Sequence, residues 1–195
     1  MLSKQNIDCN KIKEHREKFK PGEESHEYLF IRDWPTGSIR LEFFNEYKVG
    51  GDRLLLKRTR RESEIGIVFN SVEAEKIALV FRKQYASSQE EKYVKGDCDE
   101  NQIEHGQGIY KDWRFEPIDE ITEKDPHRRI CFKLMYSPSI NGEWYFLCEE
   151  ILDYHNTEKW IRKRGGGVEI SGNLLEEIAE SLEDCVICMK KQHTA

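Results

Sequence analysis

The chain has 195 residues, 37% of them hydrophobic and 11% aromatic, enough for one large domain or two small ones with a real core. Its charged fraction of 35% is of mixed sign and its net charge is −6, which excludes wholesale disorder and a protein that coats nucleic acid over its entire surface. Residues 1–6 lack the apolar run of a secretory signal, and no stretch approaches the roughly 20 apolar residues that span a bilayer. The six cysteines are irregularly spaced and suit a reduced compartment better than a disulfide framework. The expectation is a cytoplasmic, intracellular protein with no membrane partner.

In chain order, residues 4–20 read as a polar, weakly amphipathic helix with Cys9, Ile12 and Phe19 as its apolar positions, stopped by Pro21-Gly22. Four strands follow: Tyr28–Ile31, Ile39–Tyr47, Arg53–Thr59 and Ile65–Phe69, with hairpin chemistry in Val49-Gly50-Gly51-Asp52. Asn70 or Ser71 caps a helix whose buried face is Ala74, Ile77, Ala78, Phe81 and Tyr85. Residues 87–108 are polar and read as a long connection.

The strand pattern resumes at Tyr110–Phe115 and Arg129–Tyr136, turns at Ser137–Gly142, and returns over Glu143–Leu152. A shorter strand over Lys159–Lys163 precedes Gly165-Gly166-Gly167. Val168–Ile170 then leads into a final helix that starts near Ser171–Asn173, with Leu174, Leu175, Ile178, Leu182, Cys185 and Met189 on its inner face.

These elements predict an α+β fold of antiparallel sheets, each backed by a helix. The organisation is an N-terminal helix over 1–22, a first strand–helix unit over 23–88, an acidic connecting loop over 89–108 and a second unit over 109–195. The two units stand as separate domains or form one compact domain. They also align at a fixed offset: Gly66 falls on Gly167, Glu75 on Glu176 and Ile77-Ala78 on Ile178-Ala179. Phe69 falls on Ile170 and Phe81 on Leu182, so apolar positions stay apolar, as a tandem ββββα duplication requires. This order, over most of residues 26–188, resembles the repeats of the Pur-type and Whirly-type single-strand-binding proteins. The resemblance implies a curved antiparallel sheet backed by a helix; it is one of architecture and carries over no binding residue.

Two basic segments stand out, and they coincide under the same offset. Lys57, Arg58, Arg60 and Arg61 form the first; Lys159, Trp160, Arg162, Lys163 and Arg164 form the second. Arginine and lysine at a sheet edge reach phosphates, and Trp160, with Trp144, Tyr145 and Phe146 on a neighbouring strand, offers rings on which bases stack. The function expected from these residues is non-catalytic binding of nucleic acid, single-stranded or RNA. The alternative is a protein-binding inhibitor, immunity or viral antagonist protein, acting through the acidic residues Asp97, Asp99, Glu100 and Glu104. Solvated basic faces paired with the plentiful carboxylates are the plain structural explanation of the same charges.

Enzyme chemistry finds no foothold in the sequence. No phosphate-binding glycine loop, HExxH or Gly-x-Ser-x-Gly occurs, and Gly165-Gly166-Gly167 opens a strand instead of a helix. Cys185-x2-Cys188 with His193 is a single ligand pair where zinc needs two, and Cys185 fits the apolar face of its helix. No cofactor or metal is expected.

Overall fold

The computed structural model describes residues 10–20, 23–34, 38–49, 52–57, 59–60, 63–64, 66–89, 104–105, 114–121, 125–136 and 143–192. Four long strands open the chain: β1 (Asn10–Lys20), β2 (Glu23–Trp34), β3 (Ser38–Val49) and β4 (Asp52–Lys57). A two-rung hairpin of β5 (Thr59–Arg60) and β6 (Ser63–Glu64) follows, then β7 (Gly66–Phe69) and helix α1 (Ser71–Gln89). The remainder consists of β8 (Glu104–His105), β9 (Arg114–Ile121), β10 (Arg128–Tyr136), β11 (Trp144–Asp153) and β12 (Asn156–Ser171). A 3-10 turn over Gly172–Leu174 then leads into α2 (Leu175–Gln192). The fold is α+β.

Residues 10–20, expected as a helix, are strand. The segment has too few apolar side chains to give a helix a buried face, and pairing with β2 satisfies its backbone instead. Lys20 pairs with Glu23, so the Pro-Gly between them, read as a helix stop, joins two antiparallel strands. Two other boundaries differ. The strand expected at Tyr110–Phe115 runs on to Ile121, and residues 110–113 lie outside the described residues. The break expected at the triple glycine is absent, since β12 continues through it.

Ten strands form one sheet, in the order β1-β2-β3-β7-β12-β11-β10-β9-β8, with β4 pairing the far half of β3. Every pairing is antiparallel except one: β7 meets β12 in parallel at a single register point, Gly66 opposite Gly166. Glycine suits this point because neighbouring strands approach both residues closely. A β-carbon on Gly66 would stand 3.1 Å from the main-chain oxygen of Leu41, and one on Gly166 would stand 3.1 Å from Cβ of Glu149. The seam thus joins a first half-sheet, β1-β2-β3-β7, to a second, β12-β11-β10-β9.

Asn70 starts α1 with a capping box. Its side-chain oxygen accepts from the Glu73 N–H at 2.8 Å, and the Glu73 carboxylate accepts from the Asn70 N–H at 2.9 Å. The helix buries Ala74, Ile77, Ala78 and Phe81 as its spacing requires, against α2 and strands of both halves. Phe81 packs on Phe132 of β10 with ring centroids 4.9 Å apart, and Gln84 donates to the Tyr145 hydroxyl of β11 at 3.2 Å. Helix α2 in turn lies against β1 and β2. Helix α2 therefore covers strands of the half that it does not follow in sequence, while α1 reaches strands of both. One hydrophobic cluster results, running from Ile31, Leu41 and Phe69 through both helices to Phe132, Leu147 and Ile170.

Candidate nucleic-acid interface

The second basic segment lies on β12, which pairs with β11 on either side of a wide bulge. Cys148 faces Gly167 and Glu150 faces Arg162, so Glu149 alone stands against residues 163–166. Directly opposed residues share a face of the sheet. The register therefore lines Arg129, Glu150 and Arg162 across β10, β11 and β12 on the face turned away from the helices.

That face is a charge network resting on an apolar base. Phe115, Cys131, Met135, Phe146 and Cys148 form a second buried cluster, separate from the main core. Over it, the Glu150 carboxylate accepts from Arg129 Nε at 2.8 Å and from Lys133 Nζ at 2.6 Å. Arg129 also donates to Glu120 at 2.6 Å. Burial alone would push the Glu150 carboxyl upward; the bonds and charges of Lys133 and Arg129 outweigh it and hold the group below the usual carboxylate range. On the opposite face, toward the helices, Glu149 accepts from Arg128 Nε at 2.7 Å and from Lys163 at 3.0 Å. Arg128 continues to Glu73 at the start of α1 and to the Val68 carbonyl of β7, tying the seam to both halves.

Two cations lie across rings. The Arg129 guanidinium stands 4.5 Å from the centre of Trp160, and Arg162 stands 5.2 Å from that of Phe146. Trp160 is half-buried, held from one side by an arginine that Glu150 and Glu120 fix in turn. Phe146 was read as a stacking platform, but at 8% exposure it is buried. Tyr145 points into the main core, where its hydroxyl donates to Glu143 at 2.9 Å. Alternation along β11 separates the two rings: adjacent residues occupy opposite faces.

The sequence-derived residues are distributed as follows. Lys159, Arg162 and Lys163 are exposed on β12, and Lys163 is paired with Glu149. Arg164 follows on the same strand. Lys57 ends β4 and Arg60 sits in β5, where their backbone position is described; Arg58 and Arg61 lie outside the described residues, as do Asp97, Asp99 and Glu100. Glu104 is in β8, paired with Phe115 of β9. Gly66 and Gly166 pair in parallel at one register point, and β6 (Ser63–Glu64), which follows the first basic segment, lies against β12.

Sequence reasoning missed Arg128, Arg129, Lys133, Glu149 and Glu150. The signal was available: a hairpin closed around Ser137–Gly142 sets Arg129 opposite Glu150 and Cys131 opposite Cys148 by symmetry about the turn. Of the metal candidates, Cys185 is half-buried against the core and Cys188 is exposed, while Cys98 and His193 lie outside the described residues. Among the described residues, no cluster of three metal-ligating side chains occurs, and no helix is long and apolar enough to cross a membrane. Comparison with known protein families and with characterised proteins finds no match for this chain.

Proposed function

We propose that the chain is a non-catalytic nucleic-acid-binding protein, acting on single-stranded nucleic acid or RNA through β12 and the adjoining β5–β6 hairpin. The observation that supports this reading is the exposure of Lys159, Arg162 and Lys163 along one strand. Glu150 holds Arg129 and Lys133, and Glu149 holds Arg128 and Lys163. Lys159 and Arg162 are exposed, and phosphates would contact them there. Binding of this kind releases counterions, so its strength falls steeply with salt.

Fluorescence anisotropy with labelled single-stranded DNA, single-stranded RNA and duplex RNA, at two salt concentrations, tests the reading. Expected is salt-sensitive binding that Arg58→Glu combined with Arg162→Glu abolishes, while circular dichroism reports an intact fold. No binding to any of the three at low salt ends the reading and directs attention to a protein partner.

A further inference from the structure

The hairpin that joins β11 to β12 carries a residue that neither basic segment includes. Asp153 pairs with Asn156, leaving Tyr154 and His155 as a two-residue turn. The Asp153 carboxylate accepts from the His155 N–H at 2.9 Å, which fixes the turn locally. Tyr154 is thrown outward at 87% exposure, the highest among the exposed large hydrophobic residues of the described chain. An aromatic ring held in water at a fixed tip has most of its face available for stacking, and a short, hydrogen-bonded turn leaves it little conformational freedom to lose on binding.

What lies behind the ring gives it a ligand. Trp160 faces Leu152 on the hairpin's ladder, with a register shift between Leu152 and Asp153 separating that rung from the turn. Arg162 is the next alternate position, on the same face as Trp160, and Lys159 precedes Trp160 on the strand. Aromatic, aromatic, cation along one ribbon is the arrangement that tracks an unpaired strand: rings take bases while cations take the backbone. A duplex offers no such fit, because its bases are stacked on one another and show only their edges in the grooves.

We infer that Tyr154 stacks on an unpaired base and gives the hairpin its preference for single strands over duplex. The inference rests on the nucleic-acid reading above and adds to it a residue and a selectivity. Phosphate contacts from β12 serve either form of nucleic acid; the tip ring serves one.

The test compares full-length wild type, Tyr154→Ala and Tyr154→Phe by anisotropy on labelled single-stranded RNA, single-stranded DNA and duplex RNA at one low salt concentration. Expected is a weakening of single-strand binding by roughly 5- to 100-fold in Tyr154→Ala, with duplex affinity unchanged and Tyr154→Phe close to wild type. The side chain is exposed, so the fold is expected to survive, and circular dichroism checks this. Wild-type affinity of Tyr154→Ala for single strands overturns the inference while leaving the nucleic-acid reading standing. An equal loss on duplex and single strand also overturns it. A wild-type protein that binds none of the three overturns both.

Discussion

Arg82 of α1 and Glu183 of α2, 101 residues apart and coincident under the offset that aligns Gly66 with Gly167, are each other's partner. Two hydrogen bonds of 3.0 and 2.8 Å join them. Lys190 pairs with Glu75 from the opposite ends of the same helices, so α1 and α2 run antiparallel. Positions that coincide under an offset and also touch lie where a two-fold relation between the halves would place its axis. The charges there are opposite, where a literal copy would have left like beside like. Replacement of Arg82 by Glu is expected to lower the thermal midpoint, since it sets a fourth carboxylate among Glu176, Glu180 and Glu183. Adding Glu183→Arg should restore most of the loss. A double variant no better than the single one would sever the pair from stability.

Glu150 anchors the network beneath the proposed interface. Its removal as Glu150→Ala leaves Lys133 buried without its carboxylate and is expected to cost about 3–5 kcal/mol in urea unfolding. Lys133→Met with Glu150→Leu should lose less than the single variant, because no buried charge is stranded. The same carboxylate gives an acid dependence of definite sign. Its folded pKa is depressed, so its contribution is complete above the unfolded value of about 4.3 and is lost as pH falls through the folded value. Thermal midpoints of wild type should therefore decline below about pH 5, with a shallower decline in Lys133→Met. Identical acid limbs for the two proteins would count against the network.

Gly167 packs against an aromatic ring, where Gly166 meets Glu149 and Lys163. A β-carbon on Gly167 would stand 2.8 Å from Cζ of Phe146, which is itself pinned beneath Arg162. Gly167→Ala is expected to destabilise the fold by about 1–3 kcal/mol, read from the urea midpoint. Phe146→Leu in the same chain should recover part of that loss by making room. An Ala variant as stable as wild type would mean that the ring shifts freely.

The cysteines should differ in reactivity. Cys131 and Cys148 face each other across β10 and β11, both buried. Burial, with the nearby Glu150 charge adding to it, pushes the Cys131 thiol far above its ordinary range and keeps it protonated. Cys188 is exposed on α2. Iodoacetamide at pH 8, followed by peptide mass mapping, should label Cys188 in the native protein and Cys131 and Cys148 only in denaturant. Native labelling of Cys131 would show that the face beneath Arg162 opens.

Helix α1 was legible because its apolar positions repeat at 3.6 residues and Asn70 and Glu73 cap it, both local properties of the chain. β2, β3, β4, β7, β10 and β11 were legible from their apolar, β-branched and aromatic runs, whereas β6 was not expected and β8 falls within the connection read over 87–108. Leu174, Leu175, Ile178 and Leu182 fell on the inner face of α2 as their spacing required. The basic segments could be found by composition. Residues 10–20 were misread because Pro-Gly ends a helix and turns a hairpin equally well, and only the strand waiting at Glu23–Trp34 decides between them.

What tertiary structure decided is everything that depends on residues meeting at long range. No local pattern states that Phe81 packs on Phe132 instead of on its own half, or that Phe146 is a buried support for Arg162 and not an open platform. The sequence determined the elements and the charges they bear, because propensity, periodicity and capping act over a few residues. The seam at Gly66 and Gly166 decided which of those elements share a core and which charges share a surface, because burial is settled by the whole chain at once.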